Sequence, residues 1–428
     1  MADNDLISLD IAIIGGGPAG ISAGLELAKN TKLKIALFES EDEIGGMPRS
    51  CHLFFGMRDL RRIYSGPGYA RKLNGLIRKT DVEIHRMSTV IQITPGEEGM
   101  QHTIKVASPD GIRNYECRFV MLCTGCYERS REGRRIPGSR PSGIYTTGSL
   151  QELVNLRQLK VGKRAVIVGS EHVAFSGILT LRRAGISIAG IVEEDASPQT
   201  YPTIWRTMKK AFHFPIYNSA TPIEIFGKRR VEGISFEIEA KVKKVNLECD
   251  TVICTGQFRP DASLIFQTRI EEDECSLGPS VDMKYMTNVD GIYAAGNVLR
   301  GADMHDICAL EGMYAARSII RRLRNSYKGN ERYITIVAES PIRYVVPQKV
   351  LAGQDCKLRT SFLRPGFSFQ TSRNIGRARV EAWCKQERIW SKKCRKLIAN
   401  SRIPLPLEEF DMSRTDAGEK ITLKLFEL

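Results

Sequence analysis

Apolar residues come in short continuous runs along this chain, and two of those runs open the same compound unit. The first unit covers residues 10–39. It is an apolar strand, a glycine-rich turn, a helix of small and apolar residues, and a second strand, Lys34-Ile35-Ala36-Leu37-Phe38, ending in Glu39. The second covers residues 164–193. It is the strand Ala165-Val166-Ile167-Val168, a turn starting at Gly169, a helix, and the strand Ile188-Ala189-Gly190-Ile191-Val192 ending in Glu193. Gly15 to Glu39 is 24 positions, and so is Gly169 to Glu193. Continuous apolar runs of this length suit strands buried on both faces, as parallel sheets require. Two βαβ units with one spacing carry more weight than either alone.

Each unit is followed by an apolar strand that runs into a small residue, Thr and Gly. These are Phe119-Val120-Met121-Leu122-Cys123-Thr124-Gly125 and Asp250-Thr251-Val252-Ile253-Cys254-Thr255-Gly256. The chain then returns with a run from Thr287 to Asn297, and a helix-like stretch begins near Ala309. From about Glu331 the texture changes. Runs such as Ile334-Thr335-Ile336-Val337 and Arg379-Val380-Glu381-Ala382-Trp383 predict strands, punctuated by Pro347, Pro365, Pro404 and Pro406. The expected fold is α/β, with two Rossmann-like dinucleotide-binding domains and a small C-terminal domain of mixed or β-rich structure. Residues 1–158 and 279–330 are expected to form the first domain, 159–278 an inserted second one, and 331–428 the appendage.

Composition narrows the class. With 428 residues, 42% hydrophobic and 26% charged, the chain is an ordinary globular protein with ample core. Lys and Arg total 63 against 49 Asp and Glu, a net charge of +14. No recognition-helix or zinc-finger pattern accompanies that charge, so nucleic acid is not an expected partner. The N-terminus, Met1-Ala2-Asp3-Asn4-Asp5, is acidic and opens straight into a strand, so no secretory signal is visible. No apolar run approaches the roughly 18 residues of a spanning helix. The eleven scattered cysteines fit reduced thiols in a cytoplasmic compartment, with peripheral contact at the inner face of the membrane left open.

The first unit has what an ADP-containing cofactor needs. Gly15 and Gly17 keep the turn tight and free of side chains, and Pro18 and Ala19 begin the helix there. Its free N–H groups and positive dipole end would meet the phosphates. Gly20 lets the helix sit close to the sheet, and Glu39 stands where an acid would bind the ribose hydroxyls.

These residues, the Cys-Thr-Gly segments at 123–125 and 254–256, and the run 287–297 resemble the pyridine nucleotide–disulfide oxidoreductase superfamily over roughly residues 8–325. A narrower resemblance lies in Gly45-Gly46-Met47-Pro48-Arg49, Phe55-Gly56-Met57-Arg58, Arg134-Arg135-Ile136-Pro137-Gly138, Tyr145-Thr146-Thr147-Gly148 and the stretch from Gly296 to Asp303. It is to the α-subunits of opine oxidases, hydrogen cyanide synthase and hydroxyproline dehydrogenase. The resemblance implies FAD at the first site, with Gly46, Arg49, Val90, Thr124, Gly125, Gly296, Asn297 and Ala309 as further contacts. Asn297 stands where the family has an Asp on the ribityl chain. The helix near Ala309 would point its N-terminus at the flavin pyrimidine. The resemblance also implies oxidation of an amine, amino-acid-like or hydroxy-acid substrate, with electrons passing to a quinone or a second flavoprotein subunit. Two rivals remain: an NAD(P)H-dependent reductase, and a non-catalytic flavin subunit of a heteromeric dehydrogenase.

The second turn departs from the first. Gly16 is matched by Ser170, Gly17 by Glu171 and Gly20 by Ala174. A charged Glu171 would oppose a diphosphate by about 4 kcal/mol at ~4 Å and an effective dielectric of ~20. NAD(P) is therefore expected to bind weakly or not at all, and Ser170 or Glu171 to cap the helix. If a nucleotide does bind, Glu193 argues for NAD over NADP.

Among reactive residues, Cys123 and Cys126 form a CxxC outside a helix N-terminus and read as packing residues. Only Cys51 follows Gly46 where disulfide reductases of the superfamily carry a cysteine pair. Cys51 and His52 are candidates for a flavin-side catalytic pair, and His305, in the segment leading to the late helix, for a substrate-side group. No metal site is expected. Relatives of the opine-oxidase type carry an iron–sulfur module, but Cys356, Cys384 and Cys394 are one cysteine short, so no cluster is expected. Residues 371–400 hold nine Arg or Lys against two Glu. That run is either a solvated face or a docking surface for an acidic partner or anionic lipid.

Overall fold

The computed structural model describes residues 6–97, 99–238, 243–266, 268–324, 332–352 and 365–428. The first unit is strand β1 (Ile7–Ile14), helix α1 (Pro18–Asn30) and strand β2 (Ile35–Phe38). All four residues of β2 and the last four of β1 are buried, as a sheet covered on both faces demands. The long strand β3 (Gly111–Leu122) lies parallel to β1 on its other side and leads into β4 (Cys126–Tyr127). Glu83–His85 extends the sheet beyond β2, and Ile292–Ala294 closes it beside the end of β3.

The second unit repeats this body strand for strand. It consists of β5 (Arg164–Val168), α2 (His172–Arg183), β6 (Ser187–Val192) and the central strand β7 (Thr251–Cys254). β7 stands between β5 and Ile144–Thr146, while β6 and Ile216–Tyr217 follow on the far side of β5, all parallel. Each body also carries a three-stranded antiparallel meander. Ile144–Thr146 belongs to the second sheet, whereas Ala262, Leu264 and Ile270 pack into the core of the first. The chain passes between the bodies at a short antiparallel ribbon, where β4 pairs with β8 (Arg259–Pro260).

After Ile292–Ala294 the chain enters helix α3 (His305–Arg324), which lies along α1. Gly312 permits that approach, since a Cβ there would stand 2.0 Å from Ala19 O. The C-terminal residues form a five-stranded sheet in which β9 (Ala378–Cys384) is flanked by the edge strand β10 (Glu387–Cys394) and by β11 (Lys420–Glu427). A three-stranded sheet containing Ile342–Val346 and Ser368–Thr371 shares its core, which includes Ile334, Phe369, Val380 and Leu423. The alternating runs at 334–337 and 379–383 are strands with one face in that core. Among the described residues, no helix is long and apolar enough to cross a membrane. No group of described His, Cys, Asp and Glu residues could hold a metal ion, and Cys356 lies outside the described residues.

Candidate functional site

The turn between β1 and α1 is shaped by what its glycines exclude. Gly15 has φ +106°, and a Cβ on it would stand 2.3 Å from Cys123 O. A Cβ on Gly20 would stand 2.0 Å from Gly15 O, so α1 can press against the turn only without one. Gly17 differs. A Cβ there would meet nothing within 4 Å, and its φ of −77° suits any residue. Packing therefore does not require a glycine at 17; the space in front of the α1 N-terminus is simply open. Glu39 sits at the end of β2 with its carboxylate fixed. One oxygen accepts from Gly16 N at 2.9 Å, the other from Ser40 Oγ at 3.1 Å and Glu41 N at 2.9 Å.

A cleft of about 390 Å³ opens from this turn. Gly15, Gly17, Pro18, Ala19, Glu39, Gly46, Arg49, Val90, Thr124, Gly125, Asn297 and His305 all line it. Gly20, Gly296 and Ala309 stand behind the wall: Gly296 has φ +83° with a Cβ position 2.9 Å from Ala19 Cβ, and Ala309 is buried in α3. Arg49 is braced by Glu43 O at 2.7 Å and Asp42 Oδ1 at 3.0 Å, and it holds the Asp42 carboxyl below its usual range. Thr124 Oγ1 donates to Asp261 O at 2.6 Å. Sequence reasoning missed Met47, Ser50, Asp261, Leu264 and Cys308, which also line the cleft. Asp261 and Leu264 come from the segment after the ribbon, which has no turn signature.

Helix α3 starts earlier than its pattern predicts, at His305 rather than near Ala309. Its first turn is anchored from outside. Asp306 forms a fully buried ion pair with Arg58, at 2.9 and 3.0 Å, and also accepts from Arg58 N at 3.3 Å. His305 is thus the first helical residue, not part of a lead-in. Its ring packs edge-on to Phe55 at 4.7 Å, and burial pushes its pKa down to about 4, with Asp303 opposing. The imidazole is neutral at pH 7. Asn297 is fixed at its carbonyl end, which accepts from Asp303 N at 2.9 Å and Cys308 Sγ at 3.0 Å.

Cys51 and His52 do not line the cleft; they form a seam between the two bodies. Cys51 Sγ lies 3.4 Å from Ser176 Oγ of α2, and His52 N donates to the same hydroxyl at 3.0 Å. The His52 ring sits 3.2 Å from the Arg183 guanidinium. Burial raises the Cys51 thiol and lowers His52, which disfavours a thiolate–imidazolium pair. Cys123 and Cys126 line the cleft at the end of β3, with thiols held well above their usual value by burial.

The second turn keeps the backbone of the first, since Gly169 has the same φ of +106°. Glu171 occupies the N-cap position of α2, yet it makes no capping hydrogen bond. The expected helix cap is thus absent. Its carboxyl folds back over the glycine of the second Thr-Gly turn, 2.1 Å from where a Cβ on Gly256 would stand, and Oε2 has no hydrogen-bond partner. Burial pushes its pKa up to about 8, partly opposed by Arg134, so it is mostly neutral at pH 7. A mostly protonated side chain occupies this turn, so the charge opposition expected from sequence is largely absent at pH 7. Glu193 is satisfied by its own chain: Ser170 Oγ bonds it, as do Asp195 N at 2.9 Å and Gln199 Nε2 at 3.3 Å. The C-terminal sandwich pins this segment. Asn374 Nδ2 donates to Ser197 Oγ and Pro198 O, both at 3.1 Å, and Asn400 Nδ2 donates to Gln199. His172 stacks on Tyr201 at 5.4 Å and reaches Ser401 Oγ at 3.2 Å.

Known proteins share this architecture. The profile of the pyridine nucleotide-disulphide oxidoreductase family matches residues 9–318. Hydrogen cyanide synthase subunit HcnB of Pseudomonas protegens is 28% identical over 192 residues, spanning 44% of this chain and 39% of that protein. Glutamate synthase (NADPH) small chain of Escherichia coli is 24% identical over 362 residues, spanning 73% of this chain and 68% of that one. The fold is that of thioredoxin reductase from T. acidophilum, at TM-score 0.63 and 20% identity over 74% of this chain and 99% of that one. L-proline dehydrogenase from P. horikoshii superposes at TM-score 0.55 and 20% identity over 75% and 57%. The sandwich lies beyond the family match. By that match, over a fold with two repeated βαβ bodies, the chain belongs to the pyridine nucleotide-disulphide oxidoreductase family.

Proposed function

We propose that the chain binds FAD at its first turn, oxidises a small amine, amino-acid-like or hydroxy-acid substrate, and passes electrons to a quinone or a partner flavoprotein, with NAD(P) taking no part. The observation that carries this reading is the asymmetry of the two turns. Gly17 faces open space, while the Glu171 carboxyl fills the matching approach. Two similar proteins, a hydrogen cyanide synthase subunit and an L-proline dehydrogenase, agree by name with the substrate class and with a partner subunit.

FAD, when bound, supplies a two-electron acceptor. The α1 N-terminus and the bare Gly15–Gly17 backbone would meet its pyrophosphate, and Glu39 its adenosine ribose. The α3 N-terminus would bring its positive end to the flavin. His305, neutral and facing the cleft, is the side chain placed to take or give a substrate proton. Cys51 and His52 receive no chemical role, because they line the seam.

Anaerobic mixing tests the reading. NADH and NADPH are expected to leave the flavin oxidised, while amine, amino-acid or hydroxy-acid candidates bleach it, alone or with a co-expressed partner subunit. Rapid bleaching by either nucleotide would overturn it.

A further inference from the structure

The ribbon between the two bodies carries a second polar feature that the flavin does not use. Arg259 lies on β8, opposite Tyr127 of β4, and Arg129 follows two residues after Tyr127. Arg134 and Arg135 return in the next turn, where Arg134 N donates to Ser130 O at 3.0 Å and Arg135 N to Glu132 O at 3.0 Å. Desolvation lowers the Arg129 pKa, and the like charges of Arg259, Arg134 and Arg135 lower it further.

Like charges brought together without a counter-ion cost free energy unless something else pairs with them. The nearby acids are already engaged. Glu128 accepts from Gly148 N at 2.7 Å and Gly256 N at 2.9 Å, and Glu132 lies toward Arg140 at 3.8 Å. Asp261 accepts from Ser263 Oγ at 2.9 Å. Glu171, which feels Arg134, is mostly protonated at pH 7.

The loop bearing these groups is built rather than loose. Arg131, 2% exposed, spans it from inside, donating to Ile136 O at 3.0 Å, Pro137 O at 2.6 Å and Ser139 O. Arg134 is held by Thr255 O, by Gly256 O at 3.1 Å and by Arg129 O at 3.1 Å. Arg129 is held by Gly133 O. Arg135 sits at φ +57° and Gln257 at φ +51°, left-handed backbone that non-glycine residues adopt rarely. Arg135 and Arg259 are exposed, and among the described residues neither side chain has a hydrogen-bond or ion-pair partner. One guanidinium held in place at Arg129, with those of Arg135 and Arg259 free beside the same ordered loop, offers the several donors that a small, doubly charged anion takes.

We propose that Arg129, Arg135 and Arg259 form an anion site for a small ligand bearing two acid groups, a dicarboxylate or a phosphate ester, beside the flavin cleft. Cys126 and Asp261 of the same two chain segments line that cleft. Arg259 stands two residues before Asp261, about 7 Å along an extended strand. An acid group held there belongs to a molecule whose other end reaches into the cleft. The inference rests on the reading of the cleft as a site for small acids, and its test is binding, which turnover does not enter.

The flavin-loaded protein is titrated calorimetrically at fixed ionic strength with malonate, succinate and glutarate, with inorganic phosphate and pyrophosphate, and with acetate as the singly charged control. At least one dianion series is expected to bind about tenfold or more tightly than acetate, and the stronger series identifies the acid type. Arg259→Ala, a change at an exposed side chain, is expected to weaken that binding by about tenfold with the flavin spectrum unchanged, and Arg259→Lys to restore part of it. Equal affinities for dianions and acetate, or equal dianion affinity in Arg259→Ala and the Arg135→Ala/Arg259→Ala double variant as in the natural chain, would overturn the proposal. So would retention on a polyglutamate resin that Arg259→Ala abolishes while no small dianion binds, since that marks an acidic protein partner instead.

Discussion

Of the three glycine positions at which the second turn departs from the first, residue 171 is the one whose carboxyl lies over the turn. The substitution was legible in the sequence, because Glu171 falls on the same spacing as Gly17. Its protonation was not, because that depends on the burial of its carboxyl over Gly256, a residue distant in sequence, which no periodicity announces. The raised pKa makes a stability prediction with a definite sign. In the unfolded chain Glu171 loses its proton near the ordinary value of 4.5, whereas in the fold it keeps the proton to about 8. Between those values the folded state binds more protons, so its stability falls as pH rises, by roughly 1.4 kcal/mol per unit, and the full loss stands above the folded value. Glu171→Gln keeps the shape and removes the titration. The variant is expected to match the natural chain near pH 4.5 and to exceed it by a few kcal/mol at pH 8.5. Urea melts across that range check it, and parallel slopes for the two proteins would contradict a buried carboxyl that titrates late.

Elements tell a complementary story. Both βαβ units were legible because apolar strands, turn chemistry and the closing acid recur at one spacing, and the parallel strands of the two sheets do correspond in order. The start of α3 was misplaced for a physical reason. Its first turn is stabilised by Arg58, 248 residues away in sequence, and an ion pair of that range leaves no local pattern. Cys51 and His52 were drawn toward the flavin by their distance from Gly46, but the segment turns away to meet α2. The turn that begins α1 permits a clean test of ligand room against packing room. Gly17→Ala adds a methyl that meets no protein atom and strains no backbone angle. The apoprotein is expected to melt within about 0.5 kcal/mol of the natural chain. FAD affinity is expected to fall by about tenfold to a hundredfold, the 1–3 kcal/mol typical of overpacking. Gly20→Ala, whose methyl would stand 2.0 Å from Gly15 O, is expected to destabilise the apoprotein itself. Fluorescence titration of FAD alongside apoprotein melting separates the two effects; unchanged FAD affinity in Gly17→Ala would place the pyrophosphate elsewhere.

At the scale of the whole molecule, the C-terminal sandwich touches both bodies, adding to the ribbon and to the seam at Cys51 and His52 that join them. It reaches the first body through Tyr333 to Asp282 at 3.0 Å and Lys349 to Glu271, and the ribbon through Arg343 to Phe258 O at 3.3 Å. It reaches the second body through Asn374, Asn400 and Ser401. The strands of this domain were legible from alternation, and the exposed Lys392 and Lys393 are understandable as charges that guard an edge strand. Its bearing on residues 195–201 was not legible, because single polar contacts between distant loops carry no period. Two features crowd the second turn, the pinned segment, whose Gln199 N donates to Ser170 Oγ at 3.1 Å, and the Glu171 carboxyl, and they can be removed in sequence. Asn374→Ala with Asn400→Gly, which removes both side chains that hold the segment without straining the left-handed backbone at 400, is expected to speed amide hydrogen exchange across residues 195–201 by about tenfold while NADH still fails to bleach the flavin. Adding Glu171→Gly, which restores the bare turn on a backbone that already matches the first, is expected to bring measurable NADH-dependent bleaching. Exchange unchanged by the double variant would show that the sandwich does not hold the segment. Bleaching already present in the double variant would assign the block to the segment and relieve Glu171 of it.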